Sequence, residues 1–581
     1  MNWPVHSQHQ LGQAVTQIRL RLEQYVNPEL ARATAGSTES AVPAQITDLG
    51  TSALTILAQT FNLSPLEQEI LIVCACAELD YRCYELLSQL SGQSRYALPN
   101  LHLVLSLSTH GTTQVFDRSL PLFRWKLVDV SADARANLIA APLKIDPWAL
   151  QFLMGLPYND PTFGALTHPQ LIPIDTDLLS DSSHTVINQI LAQWNASDSF
   201  PPLQLCSNDP NAQRALFAIA CQHIGAQPYS LNVNSLPTQP PAQQQWILDW
   251  QRKAMVYKRG LFIQCHDPTK LPSTQWQILQ ELLTILDTPL VLGVSERIPQ
   301  QDCPLYAIDI PSLTVSEQLH QWRTHLNFVA DRLDNKLKGI VAQFNLSASA
   351  IKNISEQAVA QLEQTYAETP DPSIISEALW QICRTQSRAK LEGLVERQEP
   401  KTTWDELILP DLAIDTLKRI IAAIQHRSTV YDDWQMGGNT HRGKGVTALF
   451  YGPPGTGKTT AAEIIAKDLD LDLYRVDLSQ VISKYIGETE KNLKVVFDAA
   501  EMSGAVLLFD EADAVIGKRN EVKDSKDQYA NQTVSYLLQR MEAYSGLAIL
   551  TTNLPNAIDS AFMRRIRFSV RFEYHNIEQR V

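Results

Sequence analysis

The spacing of apolar residues predicts helices through the first part of the chain. Up to about residue 164 the apolar positions recur mainly every three or four residues, as they do between residues 11 and 22. One helix start is well marked, because Ser64 can cap it, Pro65 suits its first position and Glu67 can complete a capping box. This pattern predicts a mainly helical N-terminal region.

Short apolar runs predict strands elsewhere. Two such runs, 101–107 and 125–130, interrupt the helical first region and are expected to add strands to it. From about residue 166 short apolar runs alternate with helical segments, the order expected of a parallel sheet covered by helices. The alternation occurs twice, before and after a wholly helical stretch between residues 313 and 395.

The length of the chain also bears on its organisation. A chain of 581 residues is too long for one hydrophobic core and suggests three or four domains. We predict a mainly helical N-terminal domain over residues 1–165, an α/β domain with a helical lid over 166–395, and a second α/β domain over 396–581. Polar stretches at 27–46 and 399–404 are interpreted as a linker and a joint.

A glycine-rich turn in the last domain indicates phosphate binding. Residues 452–459 read Gly-Pro-Pro-Gly-Thr-Gly-Lys-Thr, with a strand pattern before them and a helical pattern after them. This is the context of a P-loop, whose glycines let backbone N–H groups and a helix N-terminus face phosphate oxygens. Lys458 would bring its charge to the β- and γ-phosphates, and the Thr459 hydroxyl would hold Mg²⁺. The predicted nucleotide-binding residues are Gly452, Pro453, Pro454, Gly455, Thr456, Gly457, Lys458, Thr459, Thr460 and Asp510.

Polar side chains follow two later strands of the same domain. One apolar strand ends in Asp510 and Glu511, at the sheet edge where α/β proteins bind their ligands. Asp510 would complete the shell of the Mg²⁺ that Thr459 holds, and Glu511 would act as general base on the attacking water. The next strand ends in Asn553, whose amide would orient that water against the γ-phosphate. These residues predict hydrolysis of a nucleoside triphosphate.

A cluster of arginines follows Asn553. It contains Arg564, Arg565 and Arg567. In a P-loop protein such a cluster predicts arginine fingers, which neutralise charge on the γ-phosphate from a neighbouring subunit and raise the rate by about 10³–10⁵. A finger of this kind implies a ring or at least a dimer, and the cluster alone does not select one arginine.

The earlier α/β domain repeats this arrangement without its chemistry. Aligning the strands of the two domains puts Gln213 opposite Lys458, in a turn that contains no glycine. Cys265 and His266 occur where the later domain has its Asp-Glu pair. We interpret the earlier domain as a nucleotide-hydrolase fold that has lost its site; binding of nucleotide by a different route is the alternative.

Taken together, these motifs make the last domain resemble an AAA+ ATPase of the AAA clade. The resemblance implies that the nucleotide is ATP, that the cofactor is Mg²⁺, and that the active form is an oligomeric ring, typically a hexamer. By position it makes Arg564 and Arg567 the fingers, with Arg565 as an alternative. The fold class implied is an α/β P-loop NTPase sheet with helices on both faces.

The same resemblance assigns a pore loop. Residues 483–490 match it, and in the family Lys484, Tyr485 and Ile486 of such a loop would line a central pore and grip an extended polypeptide. The charged stretch 517–524 falls where a second pore loop would be, and a plain solvated loop is the alternative there.

The rest of the chain is similar to a narrower bacterial group. In that group a winged-helix-like N-terminal region and a degenerate AAA domain precede one active AAA domain. Some of its members are associated with contractile injection systems, which implies remodelling or disassembly of those particles. One departure is that residues 576–581 end where the helical lid of the second AAA domain should begin, and we expect the sequence to be a fragment that lacks this lid.

Composition narrows the possible partners and compartment. The net charge of −14 and a pI near 5.4 argue against broad electrostatic binding of nucleic acid. There is neither an apolar run long enough to span a membrane nor a secretory signal. The eight cysteines are scattered through hydrophobic segments, which favours buried core thiols and a reducing, cytoplasmic compartment.

Three functions compete at this point. The first is Mg²⁺-dependent ATP hydrolysis by a homo-oligomer, used to remodel, unfold or disassemble a protein substrate. The second is a nucleotide-controlled assembly switch or scaffold that does not thread its substrate. The third, a DNA motor, is disfavoured by the acidic charge.

Overall fold

The computed structural model describes residues 3–27, 52–91, 97–108, 119–130, 139–156, 168–169, 180–196, 199–265, 267–299, 305–326, 333–365, 371–388, 395–427, 429–434, 436, 445–478, 488–510, 512, 535–553 and 563–574. Contacts group the chain into two units, Met1–Ile174 with Thr185–Ile310 and Asp175–His184 with Pro311–Val581. The three-domain division at residues 165 and 395 stays a prediction, because grouping by contacts does not identify domains that fold alone.

A helical region opens the first unit and surrounds one hydrophobic core. Its helices are α1 (Trp3–Val26), α2 (Ala53–Phe61), α3 (Pro65–Leu79), α4 (Tyr81–Ser91), α5 (Leu101–Leu107), α6 (Pro121–Arg124) and α7 (Pro147–Leu153). The predicted start of α3 is confirmed: the Ser64 hydroxyl accepts from the N–H of Glu67, and the Glu67 carboxylate accepts from the N–H of Ser64 at 2.8 Å. A strand β1 (Val128–Val130) pairs antiparallel with β2 (Leu143–Ile145).

One strand prediction in this region is wrong. Residues Leu101–Leu107 form the helix α5, because Asn100 caps it by accepting a hydrogen bond from the N–H of Leu103 at 2.9 Å. Leu101, Val104 and Leu107 are then buried together at a spacing that suits a helix. The apolar run at 125–130 does include a strand, β1.

The cysteines in the described part of the chain are buried as expected, with one difference in chemistry. Cys74, Cys206, Cys221, Cys265 and Cys383 are buried thiols. Cys76 and Cys83 are joined as a disulfide between α3 and α4, so the expectation of free thiols is wrong for these two. Within the described part of the chain no three His, Cys, Asp or Glu side chains are grouped so as to hold a metal ion.

A six-stranded sheet completes the first unit. The elements between residues 168 and 309 are β3 (His168–Pro169), α8 (Asp181–Asn195), β4 (Leu203–Cys206), α9 (Pro210–His223), β5 (Gln227–Asn232), α10 (Pro240–Tyr257), β6 (Arg259–Gln264), α11 (Ser273–Ile285), β7 (Leu290–Val294) and β8 (Tyr306–Asp309). The strand order is β3-β5-β6-β7-β4-β8, in which only β3 runs antiparallel to its neighbour.

The second unit begins with the predicted helices and continues into the second sheet. Its elements are α12 (Val315–Leu326), α13 (Asp334–Gln343), α14 (Ala348–Thr365), α15 (Pro372–Arg388), β9 (Glu396–Gln398), α16 (Asp411–Gln425), β10 (Val446–Tyr451), α17 (Lys458–Asp468), β11 (Leu473–Asp477), α18 (Glu488–Ser503), β12 (Val506–Asp510), β13 (Leu547–Thr552) and β14 (Phe568–Arg571), with a further helical stretch at 535–543. The four helices α12 to α15 share a core of their own.

The second sheet has the same strand order as the first. Its order, read from the antiparallel edge strand, is β9-β11-β12-β13-β10-β14, which matches β3-β5-β6-β7-β4-β8 position by position. Helices α16 and α17 bury Ile420 and Ile465 on one face of the sheet, while α18 and 535–543 bury Phe497 and Leu537 on the other. The prediction of a parallel P-loop sheet with helices on both faces, preceded by a related α/β fold, is confirmed.

Helix α15 is held against the second sheet by a network of arginines and aspartates. Asp472, which directly precedes β11, accepts hydrogen bonds from Arg384 Nε at 2.8 Å and from Arg388 Nε at 2.8 Å. The indole of Trp380 donates to the carbonyl of Asp470 at 3.0 Å. Burial alone would raise the pKa of the Asp472 carboxyl, but the hydrogen bonds and charges of the two arginines outweigh burial and hold its pKa below the ordinary value.

We predict that Asp472→Ala loosens α15. The variant leaves two partly buried guanidinium groups without their carboxylate. We expect this to destabilise the packing of α15 by about 1–3 kcal/mol, a range that takes the partial exposure of the two groups into account. Amide hydrogen exchange in α15 should therefore become about 5- to 150-fold faster than in the unaltered chain. Asp415→Ala, which removes an exposed aspartate on α16, is the control and should leave exchange in α15 unchanged.

The effect of Asp472→Ala on exchange in α15 should also depend on pH. A carboxyl whose pKa is lowered by folding stabilises the protein above its ordinary pKa of about 4, and this contribution disappears as the pH falls through the lowered value. The difference in the exchange rate of α15 between Asp472→Ala and the unaltered chain should be largest at neutral pH and disappear in acid. Equal exchange of α15 in both chains at neutral pH would contradict the role given to Asp472.

Candidate functional site

The loop between β10 and α17 depends on glycine at three positions. Gly452, Gly455 and Gly457 have φ angles of +152°, +75° and +89°, which side chains rarely tolerate. At Gly452 a Cβ would also collide with the carbonyl of Phe572, which follows β14. The backbone geometry of the predicted phosphate loop therefore requires glycine at these three positions.

The start of α17 is open to an anion. Its N-cap is Gly457, which has no side chain, so no side-chain group accepts hydrogen bonds from the first N–H groups of the helix. Thr456 is buried, and its hydroxyl donates to the carbonyl of Pro453 at 2.8 Å, which stabilises the turn. N–H groups that no side chain caps and the helix dipole together form a site that suits phosphate oxygens.

Lys458 connects this loop to the neighbouring strand. Its side chain is only 8% exposed, and Nζ donates to the carbonyls of Gly452 and Pro453, at 2.8 Å each, and to Oδ1 of Asn553 at 2.9 Å. Strands β10 and β13 are adjacent and parallel, so their carboxyl ends, and with them Lys458 and Asn553, lie at one edge of the sheet. The structure thus brings together two residues that sequence motifs about a hundred positions apart had marked.

Asp510 is the last residue of β12 and lies at the same edge. One carboxylate oxygen, Oδ1, accepts a hydrogen bond from the hydroxyl of Thr551 on β13, and the other, Oδ2, lies 2.7 Å from Nη2 of Arg475 on β11. Neither Thr551 nor Arg475 was among the predicted site residues. Only the pairing of β11 and β13 with β12 brings them to Asp510, so no motif in the sequence could have indicated them.

The oxygen atoms present fit a divalent cation. Thr459, in the first turn of α17, offers a hydroxyl, and the half-buried carboxylate of Asp510 offers a second hard oxygen ligand. Mg²⁺ prefers such oxygens, keeps several waters and takes further ligands from phosphates. These two residues could therefore hold the metal together with a bound triphosphate.

The arginine cluster lies on the surface before β14. Arg564, Arg565 and Arg567 are all exposed. Arg565 Nε lies 3.3 Å from Glu542, and Arg567 Nη1 donates to the hydroxyl of Tyr431 at 3.4 Å. Arg564 has no hydrogen bond or ion pair with another residue in the described part of the chain.

Some predicted residues lie outside the described ranges. They are Glu511, Lys484, Tyr485 and Ile486, together with the charged stretch 517–524. Their assignments rest on the sequence alone. Thr460, which was predicted to contact nucleotide, lies in the first turn of α17 and is half-buried.

The corresponding place in the first unit is closed by its own side chains. Asp209 caps α9 by accepting hydrogen bonds from the N–H groups of Asn211 at 2.9 Å and Ala212 at 3.3 Å, so a carboxylate already takes the donors that a phosphate would need. Gln213 is 1% exposed, and the two hydrogens of its Nε2 are shared among the carbonyls of Leu205, Ser207 and Val294, which all lie within 3.0 Å of that nitrogen. Its amide thus ties the ends of β4 and β7, as Lys458 ties the counterpart strands.

Three family patterns match this chain. Residues 448–576 match the ATPase family associated with various cellular activities (AAA), residues 314–389 match the contractile injection system ATPase helical domain, and residues 12–164 match a variant winged helix domain. The last part of the chain is an AAA ATPase domain. The predicted resemblance is confirmed, including the winged helix and the helical domain characteristic of contractile injection system ATPases.

Individual relatives support the same identification. An uncharacterized AAA family ATPase y4kL of Sinorhizobium fredii is 34% identical over 29% of this chain and 50% of its own. Cell division protein C of Sulfolobus acidocaldarius is 29% identical over 33% of this chain and 52% of its own. A proteasome-activating nucleotidase of Methanococcus vannielii is 38% identical over 22% of this chain and 31% of its own. The chain thus spans about half or less of the length of these relatives.

Among the helices in the described ranges, none is both long enough and apolar enough to cross a membrane.

We predict that Lys458→Ala weakens nucleotide binding. The variant removes a charge-assisted hydrogen-bond donor worth about 1.5–3 kcal/mol, so the Kd for a fluorescent ATP analogue should rise about 10- to 100-fold. Lys467→Ala, on the same helix but exposed, is the matched control and should bind as the unaltered chain does. Equal Kd values for all three chains would refute the assignment of this loop as the nucleotide site.

Proposed function

We propose that this protein is a Mg²⁺-dependent ATPase that uses hydrolysis to remodel a protein substrate as part of an oligomeric ring. The observation that carries the proposal is the hydrogen bond from Lys458 to Asn553, with Asp510 at the end of the strand next to β13. Phosphate loop, metal carboxylate and water-orienting amide thereby share one sheet edge. That is the arrangement needed for in-line transfer of a γ-phosphoryl group to water.

Each residue of the candidate site would have a separate role in ATP hydrolysis. Backbone N–H groups of residues 452–459 and the amine of Lys458 would bind and orient the phosphates. Thr459 and Asp510 would hold Mg²⁺, which would supply positive charge to offset the negative charge of the phosphate oxygens. Glu511 would take the proton of the attacking water, and Asn553 would hold that water in line. Residue type and position in the loop, in the first turn of α17 or at the sheet edge support the roles of Lys458, Thr459, Asp510 and Asn553, whereas the role of Glu511 is supported by the sequence alone.

A neighbouring subunit would complete the site. Arginine fingers act in trans when their guanidinium groups reach out from the surface. Arg564 and Arg567 remain the proposed fingers. Among the three arginines, Arg564 is the best supported, because Arg565 pairs with Glu542 and Arg567 contacts Tyr431 in the same chain. A trans-acting finger requires a homo-oligomer, and the family assignment favours a hexamer.

The first unit would serve assembly or coupling and would not hydrolyse nucleotide. Asp209 takes the helix N–H groups that a phosphate needs and adds a negative charge that would repel it. Gln213 cannot supply the charge of a lysine. We therefore propose one active ATP site in the part of the protein represented by this chain.

The substrate is proposed to be a protein. The helical domain of a contractile injection system ATPase at residues 314–389 supports components of such a particle as the specific substrate. The net charge of −14 speaks against nucleic acid. Action in the cytoplasm, where ATP is plentiful, fits this proposal. A nucleotide-controlled switch or scaffold is the second candidate, favoured by the closed site of the first unit, whose role is then purely structural.

We predict that Glu511→Gln abolishes ATP turnover and preserves ATP binding. Glutamine keeps the size of the side chain but cannot accept the proton of the attacking water, which should cost at least about 100-fold in rate. Release of phosphate and binding of a fluorescent ATP analogue would be measured on the same preparation. Glu573→Gln, which neutralises an exposed carboxylate of the same unit, should leave turnover unchanged. Unchanged hydrolysis by Glu511→Gln would remove Glu511 from the mechanism.

We also predict that Tyr485→Ala separates threading from switching. A remodelling enzyme should bind an unfolded polypeptide such as casein in the presence of ATP and hydrolyse ATP faster when it is added. Loss of the aromatic side chain should abolish this capture and stimulation and preserve nucleotide affinity. Tyr306→Ala, which removes an exposed tyrosine of β8, is the control. Capture that is equally strong in Tyr485→Ala would favour the switch or scaffold.

A further inference from the structure

An arginine that no motif accounts for contacts the carboxylate assigned to the metal. Arg475 lies in the middle of β11, and its Nη2 atom is 2.7 Å from Oδ2 of Asp510. In the parallel register of β11 and β12, Arg475 is opposite Leu508 and Asp477 is opposite Asp510. The side chain therefore reaches along the sheet, towards the carboxyl end of β12, to make this ion pair.

The ion pair fixes an oxygen that the metal shell needs. Thr551 donates to Oδ1 of Asp510, and Arg475 pairs with Oδ2, so each carboxylate oxygen has a positioned partner. Asp510 is 15% exposed and Arg475 is 38% exposed. The arginine thus has solvent on one side into which its guanidinium group can turn, whereas the aspartate is held in place.

The backbone under Arg475 is anchored. Three residues earlier, Asp472 is held by Arg384 and Arg388 of α15, and its carbonyl accepts a hydrogen bond from the N–H of Val506 at 2.9 Å. Strand β11 is also paired on both sides, with β12 and β9. Release of Asp510 by Arg475 would therefore be a rotation of one side chain and would not require the strand to move.

We infer that Arg475 is a latch on the metal carboxylate: it holds Asp510 oriented and must release it when a Mg²⁺–nucleotide complex binds. The inference rests on the proposed function, because it assigns Asp510 to the metal shell. A guanidinium group and a divalent cation that share one carboxylate repel each other. Arg475 thereby raises the Mg²⁺ concentration that the site requires and makes the site respond to the level of free Mg²⁺. Arg475 is a positioning residue in this scheme, since it acts through Asp510.

The test measures the Mg²⁺ dependence of nucleotide binding in the full chain. A fluorescent ATP analogue would be titrated at a series of free Mg²⁺ concentrations. Arg475→Gln removes the charge and keeps much of the side chain, so its half-saturating Mg²⁺ concentration should fall about three- to tenfold. Arg475→Lys keeps the charge and should remain within about twofold of the unaltered chain. Thermal unfolding of both variants would be compared to detect a purely structural defect.

A matched control isolates the position of the charge. Arg397→Gln removes an arginine from β9, the strand next to β11, where it pairs with Glu399. This variant has the same net charge as Arg475→Gln and should leave the Mg²⁺ dependence unchanged. Mn²⁺, followed by its electron paramagnetic resonance signal, provides a second readout, because metal bound with nucleotide can be counted directly.

The possible outcomes separate the latch from the proposed function. A fall in the half-saturating Mg²⁺ or Mn²⁺ concentration only in Arg475→Gln supports the latch. An unchanged or increased value in that variant overturns it, as does an equal fall in Arg397→Gln. If Lys458→Ala still weakens binding in that case, the nucleotide site stands and the latch alone fails. If Lys458→Ala has no effect either, the proposed function fails as well.

Discussion

The hydrogen bonds of one buried amine hold the candidate site together. Lys458 Nζ donates to two carbonyls of the glycine-rich loop and to the amide oxygen of Asn553. Removing an ammonium group from water is costly unless its donors are satisfied, so these three oxygens also fix the geometry of the loop. Because Asn553 follows β13, the same amine links the carboxyl ends of the paired strands β10 and β13. The remaining groups of the site are arranged around this connection.

The two sheets of the chain have the same fold but differ in the side chains that determine their chemistry. They share one strand order, including the antiparallel edge strand. What differs is how each sheet satisfies the N–H groups at the start of one helix. In the first sheet this helix is α9, which follows β4, and in the second it is α17, which follows β10. The first unit uses the carboxylate of Asp209 for α9, whereas Gly457 offers no side chain to cap α17. The same strand order thus carries one helix start that is capped by a carboxylate and one that has no side-chain cap.

Helix α15 connects the helical domain to the ATPase sheet. Asp472 is shared by two arginines of that helix and directly precedes the strand that carries Arg475. The residue that orients Asp510 is therefore three positions from a contact with the helical domain. These contacts form a continuous physical connection from the helical domain to the carboxylate of Asp510.

Local physical chemistry explains what could be predicted from the sequence. The capping box of α3, the glycine-rich loop and the polar ends of β12 and β13 depend on neighbours a few residues away, and so their patterns are visible in one dimension. The stretch Leu101–Leu107 was misread because a short apolar run suits a strand and a helix equally, until its cap and burial decide between them. Arg475, Thr551 and Asp472 could not be recognised at all. Their partners are distant in sequence, and only the pairing of strands and the docking of α15 bring the charges within hydrogen-bonding distance.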